Sequence, residues 1–202
     1  MIDREARYAL LHATDEAFYP SVVAGMDEVG RGPLAGPVVT ACVVMKPDSH
    51  ILWVDDSKKL SEARREKLYD AIMNEALAVG IGLCDAEEID RINILQATRR
   101  AMRQAAEQVK ADVFLIDAVA ELGLNGREIP IIKGDATSYA IAAASIVAKV
   151  TRDRMMAAYD ALYPGYGFAR NKGYGTAEHI AALKTIGACP IHRRSFIGHF
   201  VP

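Results

Sequence analysis

Cysteine is scarce in this 202-residue chain: Cys42, Cys84 and Cys189 are its only three, far apart and without a CxxC pair. An odd count at such spacing argues against a disulfide framework or a structural zinc site and suits small apolar residues in a reducing compartment, so a cytoplasmic location is expected. Excess positive charge is missing too. The chain carries 24 Lys and Arg against 26 Asp and Glu, a formal charge of −2, which does not announce a nucleic-acid binder. No apolar run approaches the ~18 residues of a membrane span, so no membrane contact is expected. The opening MIDREARYALLHATDEAFYP has acids and no long apolar core. It reads as an amphipathic helix over about residues 3–18 rather than as a secretory signal. HExxH, GxxxxGK[ST], internal repeats and low-complexity tracts are also absent, which removes the zincin and P-loop readings.

The positive charge that exists is clustered, in KKLSEARREK (58–67), RDR (152–154), ARNK (169–172) and HRR (192–194). A local patch can bind phosphates in a chain that is acidic overall. Taken singly, each cluster reads more plainly as a solvated face.

Periodicity organises the chain. SVVAGMDEV (21–29) and PVVTACVVM (37–45) read as strands, and the short link between them favours antiparallel pairing. ILWV (51–54) is a candidate third strand. Ser61 is placed to cap a helix in which Leu68, Ile72, Ala76 and Val79 recur at helical spacing. AVGIGLC (78–84) reads as another strand, followed by helix from about Ala86 with a break near Ile92–Asn93. DVFLID (112–117) is continuously apolar, as buried parallel strands are, and ends on Asp117. A short strand in REIPIIKGD precedes a long, mostly buried helix over 137–162. A Gly/Tyr-rich loop, a helix capped by Thr176 and a tail from Cys189 close the chain. The order predicts an α/β fold with a mixed sheet, half antiparallel and half parallel.

The stretch MDEVGRGPLAGP (26–37) puts two carboxylates at a strand end and three glycines after them. A dinucleotide fingerprint is excluded. The spacing is G-x-G-x-x-x-G, and the glycines open a strand rather than the helix that would hold a pyrophosphate. A plain strand-to-strand turn accounts for Gly30, Gly32 and Gly36 but not for Asp27 and Glu28, since unpaired acids at the end of an apolar strand are costly to bury. Asp117 ends a second strand, and neighbouring parallel strands set such ends side by side. Asp153 is the fourth candidate. Ser145, Lys149 and Asp153 fall at roughly 0°, 40° and 80° around the long helix, with Arg152 near 340°, a narrow polar stripe on an apolar element. An i,i+4 pair of Lys149 with Asp153 is the plainer reading of that stripe and is compatible with a functional role. Convergent carboxylates suit Mg²⁺ or Mn²⁺, and two such ions can serve phosphodiester hydrolysis. Adjacent strand residues face opposite ways, so Asp27 and Glu28 can share one site only if the chain twists or bulges there.

These motifs together resemble a known family. GMDEVGRGPLAGPVV, DSKKLSEARREKLYD, INILQATRRAM, FLIDA, KGDATSYAIAAASIVAKVTRDRMM, YGFARNKGYGT, EHIAAL and HRRSF are similar, in order, to blocks of the type 2 ribonucleases H, in particular the bacterial ribonuclease HII branch. The resemblance runs from about Ser21 to Phe196. It implies a ribonuclease H-like α/β fold: one domain over 1–202, with a mixed five-stranded sheet flanked by helices and a helical C-terminal part and tail over about 160–202. It implies a monomeric endonuclease that cleaves RNA in RNA–DNA hybrids and single ribonucleotides embedded in duplex DNA, leaving 5′-phosphate and 3′-hydroxyl ends. The metal-binding acids would be Asp27, Glu28, Asp117 and Asp153. Gly30, Arg31 and Gly32 resemble the element that reads the ribonucleotide, where glycine admits the backbone to the sugar and the 2′-OH marks RNA. Tyr174 matches the tyrosine that packs on the deoxyribose just after it. Lys58, Lys133, Ser145 and Lys149 are further candidates for substrate contacts, and His192 and Arg193 either touch substrate or pack. The third acid stands in IDA, with Ala118 where the family often has glycine. Two rival readings remain: a non-catalytic module that binds RNA–DNA junctions, and another metal phosphoesterase such as a four-acid DNA exonuclease.

Overall fold

The computed structural model describes residues 3–201. Helix α1 (Arg4–Glu16) starts at Asp3, whose carboxylate accepts the N–H groups of Glu5 and Ala6. Strands β1 (Val23–Val29) and β2 (Val38–Val44) follow, then α2 (Glu62–Glu75), capped by Ser61 on Arg64 N. Next come β3 (Ala78–Cys84), α3 (Ala86–Ile92) and α4 (Ile94–Ala106). Asn93 separates the two helices with φ 66° and caps the second through its side chain, which is the expected break. After β4 (Val113–Asp117) and β5 (Arg127–Ile131), Ser138 caps the long α5 (Tyr139–Leu162). Short α6 (Phe168–Asn171), α7 (Ala177–Ile186) and α8 (Arg194–Ile197) complete the chain.

The sheet order is β3-β2-β1-β4-β5. β1 pairs antiparallel with β2 and parallel with β4, and β4 pairs parallel with β5. The antiparallel and parallel halves therefore meet at β1, as the sequence suggests. Helix α5 packs on one face with α2 and α1, and α4 on the other. Alternation along β1 feeds both layers: Ala24 and Met26 join the core under α4, while Val23 packs with Ile141 of α5. Gly25 permits the closest approach, because a Cβ there would lie 2.0 Å from the carbonyl carbon of Ala140. The start of α5 is thus laid directly on β1, two residues before Asp27.

ILWV is not a strand. Trp53 has φ 78°, which interrupts an extended run, and β3 already occupies the free edge of β2. The segment is a loop held by side chains instead: Ile51 N donates to Tyr139 Oη, and the Trp53 ring sits between the guanidinium groups of Arg4 and Arg64 at 4.0 and 4.2 Å. Helix α1 ends at Glu16, slightly before the expected limit, and the tail holds a helical turn at Arg194–Ile197 that periodicity did not reveal. No helix among the described residues is long and apolar enough to cross a membrane.

Candidate metal centre and nucleic-acid interface

The parallel strands β1 and β4 deliver their C-terminal ends to one edge of the sheet, the usual place for ligands in an open α/β sheet. Pairing between them stops at Met26–Ile116, so Asp27 and Asp117 project just beyond it. Carboxylate oxygens of Asp27, Asp117 and Asp135 all lie within 4.8 Å of one another. Asp135 is the residue that sequence patterning missed. It sits on no strand end but in KGD, where Lys133 takes a left-handed conformation (φ 57°) and opens a single 3₁₀ turn, Gly134–Ala136. That turn is tied to β4 by Gly134 N, which donates to Asp117 Oδ1 at 2.7 Å.

Asp153 is a correction. It lies far along α5 and turns toward α2, where Lys149 Nζ stands 2.7 Å and Arg65 Nη2 3.7 Å from its two oxygens. It is not among the converging carboxylates. The plain i,i+4 pairing is what the helix geometry delivers, and it also occupies Lys149. Ser145 is likewise engaged elsewhere: it is buried, accepts from Ser57 N and donates to the carbonyl of Ala142. It anchors the loop that carries Lys58. Lys58 does reach the site, with Nζ 3.3 Å from Asp135 Oδ2, and Lys133 is exposed beside it.

Asp27 and Glu28 resolve differently from the expected bulge. Pairing with β2 continues without interruption through Asp27–Ala41, Glu28–Thr40 and Val29–Val39. Asp27 therefore points into the compact triad and Glu28 stays outside it, as alternation requires. Glu28 remains within electrostatic reach. Burial raises its pKa and the charge of Asp117 raises it further, while Arg31, 3.4 Å away, opposes both. Asp27 is raised well above the ordinary carboxylate range by burial, then by Glu28, Asp117 and Asp135. Asp117 is raised by burial and by Asp135, against the Gly134 N–H bond and Lys58. Burial acts against the charge of Lys58, but Asp135 outweighs it and lifts that pKa.

The donor set fits a divalent cation. Asp27 and Asp117, whose pKa values are raised, converge with Asp135, and Glu28 Oε2 is buried with no hydrogen-bond partner. An oxygen-only site of this kind suits a hard ion, and a cation would offset the burial and the mutual repulsion that raise the pKa values of Asp27 and Asp117.

The turn after β1 lies against the Tyr174 loop. A Cβ on Gly32 would stand 3.9 Å from Tyr174 Cε1, and Tyr174 is 43% exposed. Gly30 has φ 94°, and a Cβ there would meet Arg152 Nε at 2.3 Å. Arg152 and Arg193, from two clusters that read as surface charge, are fully buried. Arg152 donates to the carbonyls of Pro37, Lys172 and Ala35, and Arg193 to those of Gly30, Arg31, Pro33 and Gly36. His192 is buried as well, so of the two readings for His192 and Arg193, packing is the one the fold adopts.

A family model described as Ribonuclease HII matches residues 24–199. The chain is 54% identical over 191 residues to the ribonuclease HII of Ruminiclostridium cellulolyticum, an alignment covering 94% of this chain and 74% of the relative. In structure it is similar to the ribonuclease H2 of Pyrococcus horikoshii, with TM-score 0.73, 27% identity and coverage of 88% of this chain and 98% of that one. It is also similar to the RNase HII solved in complex with PCNA from Archaeoglobus fulgidus, with TM-score 0.76, 26% identity and coverage of 86% and 93%.

Proposed function

The chain belongs to the ribonuclease HII family, and from that premise we propose how its site works as a metal-dependent ribonuclease H. The substrates are RNA–DNA hybrids and DNA duplexes with an embedded ribonucleotide, cleaved within the strand to leave 5′-phosphate and 3′-hydroxyl ends. The observation that carries this reading is the meeting of Asp27, Asp117 and Asp135, with Glu28 beside them, two residues before the Gly30–Gly32 turn. These four acids would hold divalent ions, Mn²⁺ or Mg²⁺, with Asp135 in the role that the family resemblance implied for Asp153. When bound, such ions activate water for attack on phosphorus and steady the leaving oxygen.

The chain's own residues supply the rest. Lys58, exposed at the rim beside Asp135, is available to a phosphate, as is Lys133. Gly30 and Gly32 let the backbone approach a ribose, and Arg31, 45% exposed at its side chain, adds positive charge on the solvent side of Glu28. Tyr174, exposed next to Gly32, offers a ring face to the sugar that follows. The enzyme would act as a single-domain monomer in the cytoplasm, where three buried free cysteines are stable.

The test is a duplex with one ribonucleotide, incubated with Mn²⁺, with Mg²⁺ and with chelator. Metal-dependent nicking at the ribonucleotide is expected, and Asp27→Asn should remain folded and inactive. Binding without cleavage would favour a junction-binding module. Digestion of an all-DNA duplex would favour a different phosphoesterase.

A further inference from the structure

The tail residues His192 and Arg193 are buried and touch none of the carboxylates, yet Arg193 bonds directly to the Gly30–Gly36 turn and His192 reaches the Tyr174 loop through His179. Arg193 gathers the Gly30–Gly36 turn. Its Nη2 donates to Gly30 O at 2.5 Å and Gly36 O at 2.8 Å, its Nη1 to Arg31 O at 2.9 Å and Pro33 O at 2.8 Å, and its Nε to Gly36 O at 3.0 Å. Among the described residues no carboxylate forms an ion pair with it, and its planar fork is spent on backbone carbonyls. Burial lowers its pKa to about 9, with Arg152 adding to the effect.

His192 reaches the opposite element through His179. The Nδ1 of His179 lies 2.9 Å from the carbonyl of Tyr174, which can only accept, so Nδ1 carries the proton. Its Nε2 lies 2.9 Å from His192 Nε2 and must therefore accept from it. The Nδ1 of His192 then accepts from Cys189 N at 2.9 Å, with the Cys189 thiol 3.1 Å away. One proton arrangement satisfies the whole chain, and both rings are neutral in it. Burial lowers both pKa values, that of His192 to about 4 with His179 contributing. Tyr166 and Phe168 enclose the pair, with ring centroids 4.8 and 5.6 Å from His192. The tail backbone closes the assembly: Arg193 N donates to Leu34 O, Gly36 N to Ile191 O, and Leu34 N to Gly173 O.

We propose that His192 and Arg193 are positioning residues that set the separation between the Gly30–Gly32 turn and Tyr174, and thereby determine preference for a lone embedded ribonucleotide over a continuous hybrid. This rests on the reading that the turn and Tyr174 flank the RNA–DNA junction. The carboxylates are held by a different frame, β1, β4 and the Gly134–Ala136 turn, so disturbing the tail alters substrate placement rather than the metal centre. Small displacements of a positioning element are enough to affect reaction strongly.

The experiment measures steady-state cleavage of two substrates, a DNA duplex with one ribonucleotide and a continuous RNA–DNA hybrid, by the wild type, His192→Phe, His192→Gln and Arg193→Lys. His192→Phe and Arg193→Lys should raise KM for the embedded ribonucleotide by about tenfold while KM and kcat on the hybrid stay nearly unchanged. His192→Gln, whose amide N–H can reach His179 Nε2, should recover most of the preference. Equal losses on both substrates, or none, would overturn the proposal. Where circular dichroism shows that His192→Phe does not fold, Arg193→Lys and His192→Gln decide by the same ratio. A wild type that cuts neither substrate defeats the proposed function itself; a wild type that cuts both, with variants that do not discriminate, defeats only the role of the tail.

Discussion

Lys149 Nζ lies 2.7 Å from Asp153 Oδ1 while Arg65 guards the other oxygen, so Asp153 is a neutralised carboxylate between α5 and α2. Asp135 instead stands among acids, with Lys58 at its edge. The two aspartates of one motif block should therefore respond oppositely to removal of charge. Asp135→Asn should keep its melting temperature and lose cleavage to background. Asp153→Asn should retain cleavage and lose about 2 kcal/mol of stability, because two largely buried cations lose their partner. Parallel activity assays and urea titrations of the two variants check this. An inactive but stable Asp153→Asn would return that residue to the metal centre.

Crowded carboxylates make metal and stability interdependent. The pKa values of Asp27, Glu28 and Asp117 are raised by burial and by their neighbours. A raised folded pKa means that the folded state holds the proton more tightly than the unfolded chain. The stability it contributes is complete below the ordinary carboxylate range and is lost as pH rises through the folded value. A bound cation offsets that loss. The gain in melting temperature on adding Mn²⁺ should accordingly be larger at about pH 8 than at about pH 5. Asp27→Asn should melt higher than the wild type without metal at the higher pH, and should gain little from Mn²⁺. Equal gains at both pH values would contradict this account.

The sheet and α5 were legible because their periods are clean: β1, β2 and β4 are apolar runs bounded by turn residues, and α5 is apolar enough to require burial. Asp27 and Asp117 were legible because strand ends converge whatever the loops do. Asp135 was not, since its approach depends on a left-handed Lys133 and on the Gly134 N–H bond to Asp117, neither of which has a periodic signature. Asp153 misled because a polar stripe on a buried helix looks the same whether it faces a ligand or an ion-pair partner on another helix. Arg152 and Arg193 were hidden by the usual rule that charge is solvated. Here backbone carbonyls of a glycine-rich turn replace water, and a sequence does not display unpaired carbonyls.

Ala118, directly after Asp117, adopts φ 50°, the left-handed region that suits glycine. An L-residue with a Cβ is strained there. Ala118→Gly should stabilise the protein by about 1 kcal/mol, the relief of strain exceeding the added freedom of the unfolded chain. The corresponding rise in melting temperature is about 2–4 °C for a chain of this size. A fall would mean that neighbouring contacts of the Ala118 methyl outweigh the backbone term.

Asp15 ties α1 to the segment that carries Asp135. Its Oδ1 accepts from Ser138 Oγ at 2.6 Å and its Oδ2 from Ala140 N at 2.8 Å, which makes it a second cap at the start of α5. Burial raises its pKa to about 6, against the bonds from Ser138 and Ala140 and the nearby charge of His12. The ordinary value is 3.8, so the Asp15 contribution to stability is complete below that value and fades as pH rises through about 6. Asn cannot titrate, and its amide group can accept at only one oxygen, so Asp15→Asn carries a cost that does not depend on pH. The stability gap between wild type and Asp15→Asn, read from urea midpoints, should therefore narrow as pH rises from about 4 to about 7. A gap that widens over this range would mean that the folded state prefers the ionised carboxylate. In that case the N–H groups at the start of α5 outweigh burial.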